Sequence, residues 1–300
     1  MHLGNARTAL LGWLSARAQG GALVLRIEDL DPPRVVPGAR DEILADLRAL
    51  GLDWDEGPEA GAHGPYVQSL RQGFYDAAAT RLLAQGDAYL CACSRADLVR
   101  AASAPHAEEE GPRYPGICRD LSPDVVTAQA RARGRHPAVR FRGRDQHVRF
   151  DDLVAGACEG AVDDFVLRRA DGVFAYQLAV VVDDAAMQIT EVVRGDDLLS
   201  STPRQIALYV ALARPVPRFA HVPLVLTATG ERAAKRNRPT PVRAWLDRGL
   251  DPRALVGRLA ASANLCAPGD TPWPSELVAS FAALGWAALP RQAVILDDSR

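Results

Sequence analysis

The chain has 300 residues, 48% of them hydrophobic and 24% charged, and a formal net charge of -2. That length exceeds a typical single domain, so one large domain, or a large one with a small appendage, is expected. The near-neutral balance excludes a general polyanion-coating protein but leaves room for a nucleic-acid partner held by local arginine patches; with no apolar stretch of membrane-span length and no signal-peptide core, the chain reads as cytoplasmic with no membrane partner.

Residues Asn5 to Gln19 place Ala6, Leu10, Trp13, Leu14 and Ala18 at helical spacing, and Gly20-Gly21 stops the run. Leu23 to Glu28 reads as a buried strand closed by Asp31-Pro32-Pro33, and a helix over about Ala39 to Leu50 carries Ile43, Leu47 and Leu50 on one face. A Gly/Pro/Ala loop spans Pro58 to Pro65, and Leu70 to Gln85 is helical. Cys91 to Asp151 reads as an insertion, with cysteines, the acidic run Glu108-Glu109-Glu110, a polar helix near Ser122 to Arg133, and short strands around Val139-Arg140-Phe141 and Val148-Arg149-Phe150. The pattern resumes with Phe165 to Arg169, the turn Ala170-Asp171-Gly172 and the run Phe174 to Val182. A strand at Ile189 to Val193, a helix from about Thr202 to Leu212, the apolar strand His221 to Leu226 and a short helical tail from Val242 complete the chain. Helix alternating with strand implies an α/β fold with a parallel sheet. The expected division is a core of 1–90 and 152–245, an insertion of 91–151 and a tail of 246–300.

Of 35 basic residues only one, Lys235, is lysine. Arginine is a planar fork, whereas lysine is a compact, mobile ammonium that acts on phosphate oxygens as a point charge. Lys235 sits in Gly230-Glu231-Arg232-Ala233-Ala234-Lys235-Arg236-Asn237, a glycine-led basic loop after a strand. His2-Leu3-Gly4-Asn5 opens the first helix, where outward N–H groups and a glycine suit a phosphate. Among the 5 cysteines, Cys91, Cys93 and Cys118 fall close together, which in a reducing compartment favours metal ligation over disulfides. Three thiolates with a fourth O or N donor suit tetrahedral Zn2+, the fourth donor being Tyr114 or His106. Cys158 and Cys266 have no partner at ligand spacing and read as core thiols.

The His2 to Asn5 and lysine-loop motifs, with Arg26-Ile27-Glu28-Asp29-Leu30-Asp31-Pro32-Pro33-Arg34 and Val193-Arg194-Gly195-Asp196-Asp197, resemble the HIGH and KMSKS signatures and pocket segments of class I aminoacyl-tRNA synthetases of the glutamate-activating group. The likeness runs from Met1 to about Trp245 and includes Phe174 to Asp184 and Thr202-Pro203-Arg204-Gln205; it is closest to the short glutamyl-Q tRNA(Asp) synthetase family, which lacks an anticodon-binding domain. The resemblance implies a Rossmann-type catalytic core and a ligase that activates L-glutamate with ATP and Mg2+ and passes it to the wobble queuosine of tRNA(Asp). It implies Glu28, Tyr176 and Arg194 in the glutamate pocket, His2 and Lys235 as catalytic groups, and His2, Gly4, Asn5, Arg232, Lys235 and Arg236 at ATP. It further implies one structural Zn2+ on Cys91, Cys93, Tyr114 and Cys118, and a monomer is expected.

Two departures stand out. The family carries a strand with an arginine, a serine and Pro-Gly before HIGH, whereas here Met1 stands directly before His2, so an upstream start or an incomplete enzyme is expected. Arg232, Ala233 and Ala234 replace the usual lysine, apolar residue and serine of KMSKS, which alters loop closure but not the role of Lys235. The rival readings are an ordinary glutamyl-tRNA synthetase, which needs an anticodon reader, and a non-catalytic, zinc-stabilised RNA-binding paralogue.

Overall fold

The computed structural model describes residues 1–94, 96–97, 114–226 and 240–295. The first helix, α1 (Leu3–Ala18), buries Leu3, Ala6, Leu10, Leu11, Trp13 and Leu14, which leaves it apolar on most sides. Such a helix is stable only between two layers. One layer is a four-stranded sheet of β3 (Gln146–Asp152), β4 (Gly156–Val162), β6 (Glu191–Gly195) and β7 (Arg218–Val222) in the order β4-β3-β7-β6. Strands β3 and β4 form an antiparallel hairpin, whereas β7 runs parallel to β6 from Glu191–Arg218 to Gly195–Val222 and meets β3 at Asp152–Phe219. A second sheet pairs β1 (Ala88–Cys91) with β2 (Ala138–Phe141) and β2 with β5 (Val166–Arg168), and β8 (Val225–Leu226) pairs with β9 (Val294–Ile295).

The other layer on α1 comes from the C-terminal residues. Helices α7 (Val242–Asp247), α8 (Pro252–Ala261) and α9 (Pro274–Leu284) place Trp245, Leu255, Val256, Leu259, Leu277 and Phe281 in one core with Leu10, Leu11 and Leu14. The tail is therefore part of the main core. A Cβ on Gly257 would lie 1.8 Å from the Asp270 carbonyl oxygen, so α8 approaches its neighbouring loop this closely only through glycine. The opposite core holds Tyr75, Leu82, Val139, Leu167, Leu178, Leu208 and Phe219, contributed in part by α3 (Gln72–Gln85), α5 (Tyr176–Ala186) and α6 (Thr202–Ala211).

Two expectations need correction. Leu23 to Glu28 is not a strand: it is extended chain held by single parallel bridges, Val24 to Glu56 and Ile27 to Val67. The loop through Pro58 to Pro65 separates those two partners, so no continuous ladder forms, although Leu25 N–H reaches the Glu56 carbonyl and Ile27 N–H the Tyr66 carbonyl at 2.8 Å each. In α2 (Ala39–Ala49) the inward side chains are Leu44 and Leu47, whereas Ile43 is 36% exposed. The polar helix of the insertion is α4 (Pro123–Ala132), N-capped by Ser122. Among the described residues no helix is long and apolar enough to cross a membrane.

Candidate active site

A cavity of about 1050 Å³ opens between the N-terminus of α1, the extended segment 23–28 and β6. His2, Gly4, Asn5, Glu28 and Arg194, all singled out by the sequence, line it. Lys235, Arg232 and Arg236 lie outside the described residues, as does His106. His2 is the N-cap of α1, its Nδ1 accepting the Asn5 N–H at 3.3 Å, and burial lowers the pKa of the ring. A Cβ on Gly4 would stand 3.1 Å from that ring, so glycine lets imidazole and helix turn pack together at the cavity wall. The free N–H groups of this first turn give the wall a partial positive charge suited to phosphate.

Arg194 comes from β6 and is buried to 9% exposure. Its Nε donates to His221 Nε2 at 3.0 Å and its Nη2 to Thr202 Oγ1 at 2.8 Å. Tyr176, at the first turn of α5, is 37% exposed, yet burial of its hydroxyl raises its pKa, Glu28 adds to the rise, and a hydrogen bond and charge from Arg194 oppose it. Glu28 and Arg194 thus line the cavity, and the Tyr176 phenol, outside that lining, is tied to Arg194 by a hydrogen bond. Together they can hold an ammonium at one end of a ligand and a carboxylate at the other.

Behind these groups lies a buried polar network that the sequence reading did not assign. Arg26 binds Glu28 Oε1 at 3.1 Å and Asp184 Oδ1 at 2.7 Å, and Tyr209 donates to Asp184 at 3.1 Å. The neighbouring Asp183, fully buried, accepts from Arg71 Nε at 2.5 Å, Gln68 Nε2 at 2.9 Å and the Tyr75 hydroxyl at 2.9 Å. Burial, with the adjoining aspartates, raises the pKa of Tyr75 and Tyr209. The sequence did carry a signal: two consecutive acids closing an apolar helical run, and Arg26 two residues from Glu28 in extended chain, hence on the same side.

The candidate metal centre lies on β1 and the turn before α4. The Sγ atoms of Cys91, Cys93 and Cys118 fall within 4.8 Å of one another. The Tyr114 hydroxyl is 3.4 Å from Cys91 Sγ and 3.7 Å from Cys93 Sγ, and it accepts the Cys118 N–H at 2.8 Å. Four donors thus converge, three of them soft sulfurs, a set that fits Zn2+. The Arg140 guanidinium stacks 3.9 Å from the Tyr114 ring centre. Burial alone would raise the Cys91 thiol, but the Tyr114 hydrogen bond and Arg140 hold it below its ordinary value, whereas burial and the Cys91 charge push Cys93 up to about 12. Cys158 and Cys266 are half-buried free thiols outside this cluster.

Residues 1–261 match the family described as tRNA synthetases class I (E and Q), catalytic domain. The chain is 51% identical over 299 residues to the glutamyl-Q tRNA(Asp) synthetase of Symbiobacterium thermophilum, covering 98% of this chain and 91% of that one. It is 49% identical over 302 residues to the enzyme of the same name from Nocardia farcinica, covering 90% of it. Among solved structures it is similar to the glutamate-tRNA synthetase of Elizabethkingia anophelis, with TM-score 0.84 and 26% identity, covering 99% of this chain but 65% of that longer one.

Proposed function

Because the chain belongs to the class I tRNA synthetases for glutamate and glutamine, a family of ligases, we propose that it activates L-glutamate with ATP and transfers the glutamyl group to the wobble queuosine of tRNA(Asp). The observation that carries this reading is the placing of Glu28 and Arg194 on the wall of one cavity beside a helix N-terminus, with the Tyr176 hydroxyl hydrogen-bonded to Arg194. Glu28 receives the substrate ammonium, Arg194 grips a carboxylate, and the Tyr176 ring closes the side of the pocket. The α-carboxylate oxygen attacks the α-phosphorus of ATP, the bond to the bridging oxygen of pyrophosphate breaks, and glutamyl-adenylate forms. A hydroxyl of the acceptor then attacks the activated carbonyl and AMP departs. The first turn of α1, with His2 at its cap, faces the phosphates, and Mg2+ accompanies ATP. Lys235, flanked by Arg232 and Arg236, neutralises charge gathering on the departing pyrophosphate. Cys91, Cys93, Cys118 and Tyr114 would hold Zn2+ in a structural role, tying β1 to the turn before α4. The near full-length likeness to glutamyl-Q enzymes supports tRNA(Asp) as the acceptor.

The test is glutamate-dependent exchange of pyrophosphate into ATP, followed by transfer of labelled glutamate to tRNA(Asp) with and without queuosine. Lys235→Ala should lower exchange roughly 100-fold or more with the circular dichroism spectrum unchanged. Exchange at the wild-type rate would remove Lys235 from the mechanism. Label appearing at the 3′ end of a glutamate tRNA in place of queuosine would identify an ordinary glutamate–tRNA ligase.

A further inference from the structure

The cation assigned to the substrate carboxylate is held from behind by a second buried pair. His221, on β7, is 1% exposed, and its ring lies between two groups of fixed hydrogen-bonding sense. Nδ1 is 2.6 Å from Asp152 Oδ2, and Nε2 is 3.0 Å from Arg194 Nε. An ionised carboxylate only accepts and a guanidinium only donates. The ring therefore carries a proton on Nδ1, because a lone pair there would face the Asp152 carboxylate, and Nε2, with the Arg194 N–H and the Thr202 hydroxyl (3.1 Å) around it, is left to accept.

Asp152 is itself fixed. It ends β3, where Oδ1 accepts from Val154 N–H at 2.9 Å and Ala155 N–H at 2.8 Å, and the backbone N–H of His221 reaches the same carboxylate at 3.2 Å. The chain of contacts runs from the end of one strand, through a ring on the next, to the guanidinium on the third. Thr202, at the start of α6, takes an Nη2 hydrogen and locks the plane of the fork. Arg194 keeps its remaining N–H groups for Tyr176 and the cavity.

We propose that Asp152 and His221 are positioning residues for substrate recognition: the carboxylate sets the histidine tautomer, and the ring's Nε2 lone pair orients Arg194 so that its outer N–H edge meets a substrate carboxylate. This rests on the reading of Arg194 as the carboxylate-binding group. Neither residue touches substrate; both act through the direction in which Arg194 points. A bidentate grip depends on that direction, so loss of the Nε contact weakens carboxylate binding while leaving ATP binding alone.

Three measurements on the full chain test the proposal. In wild-type protein labelled with 15N-histidine, the His221 ring should show the neutral, Nδ1-protonated signature; an Nε2-protonated or doubly protonated ring would overturn the proposal without any variant. By titration calorimetry, His221→Leu should weaken L-glutamate binding 10- to 100-fold or so. His221→Gln, which restores an acceptor near Nε2, should stay within roughly threefold of wild type, and ATP affinity should be unchanged in both. Equal loss in the leucine and glutamine variants, or none in either, would overturn the proposal while leaving the glutamate pocket standing. Failure of the wild-type protein to bind glutamate would overturn the pocket reading, and this inference with it.

Discussion

Asp152 and Asp183 show how a single buried carboxylate can govern the site's surroundings. Burial alone would raise the pKa of Asp152, but hydrogen bonds from the His221 ring and from the backbone of Ala155, Val154 and His221 outweigh it and hold the carboxyl below its ordinary value. A carboxylate with a depressed folded-state pKa contributes stability that is fully present above the unfolded value of about 3.9 and is lost as pH falls through the folded value. Stability measured by urea unfolding should therefore drop between about pH 4 and pH 2, and Asp152→Asn should flatten that part of the profile. A slope identical to wild type would show that the carboxylate does not contribute. Asp183 accepts from Arg71, Gln68 and Tyr75 with no exposure of its side chain. Asp183→Asn would leave the Arg71 charge uncompensated and should cost about 3–5 kcal/mol in the same assay. Glu28, Tyr176 and Arg194 were singled out in the sequence because they sit in motifs. Asp152 and His221 were not, since they come together from strands 69 residues apart in sequence, and nothing local to either marks the pairing.

At the scale of the element, the cysteine cluster was the more legible part. Cys91 and Cys93 flank one residue at the end of β1, and Cys118 follows Tyr114 by 4 residues, so two short local segments supply all four candidate donors. What the sequence could not settle was the fourth donor, and the structure puts the Tyr114 hydroxyl among the sulfurs. Protein purified without added chelator should contain about one zinc per chain, and Cys91→Ser should lose zinc and melt earlier. Tyr114→Phe separates ligand from packing group: retention of zinc would assign the hydroxyl a hydrogen-bonding role, whereas loss would make it a ligand. Zinc-free wild-type protein with unchanged stability would dismiss the centre altogether. The segment 23–28 was less legible. Its apolar run has the composition of a strand, but strand assignment depends on partners, and Glu56 and Val67 meet it only singly.

At the scale of the whole molecule, α1 joins the site to the stability of the fold. Its first turn borders the cavity, while its body lies between β6 and helices α8 and α9. The sequence read the C-terminal residues as a short tail because their helices are brief and separated by Gly/Pro-containing loops, and because amphipathic spacing does not say which core a helix joins. In the structure Phe281 of α9 is 4% exposed, stacks edge-on against Trp286 at 5.1 Å between ring centroids, and belongs to the same cluster as Leu10 and Leu14. Phe281→Ala removes a buried aromatic from a closed core and should destabilise the protein by about 3–5 kcal/mol. Val210→Ala, on a side chain that is 68% exposed, should change stability by less than about 0.5 kcal/mol. If α9 were an independent appendage, Phe281→Ala would melt that segment alone and leave the main urea transition, followed by far-ultraviolet circular dichroism, in place. A single transition shifted to lower urea, with tryptophan fluorescence and far-ultraviolet circular dichroism coinciding, is the expected result, because α1 cannot keep its apolar faces covered once the layer on one side has loosened.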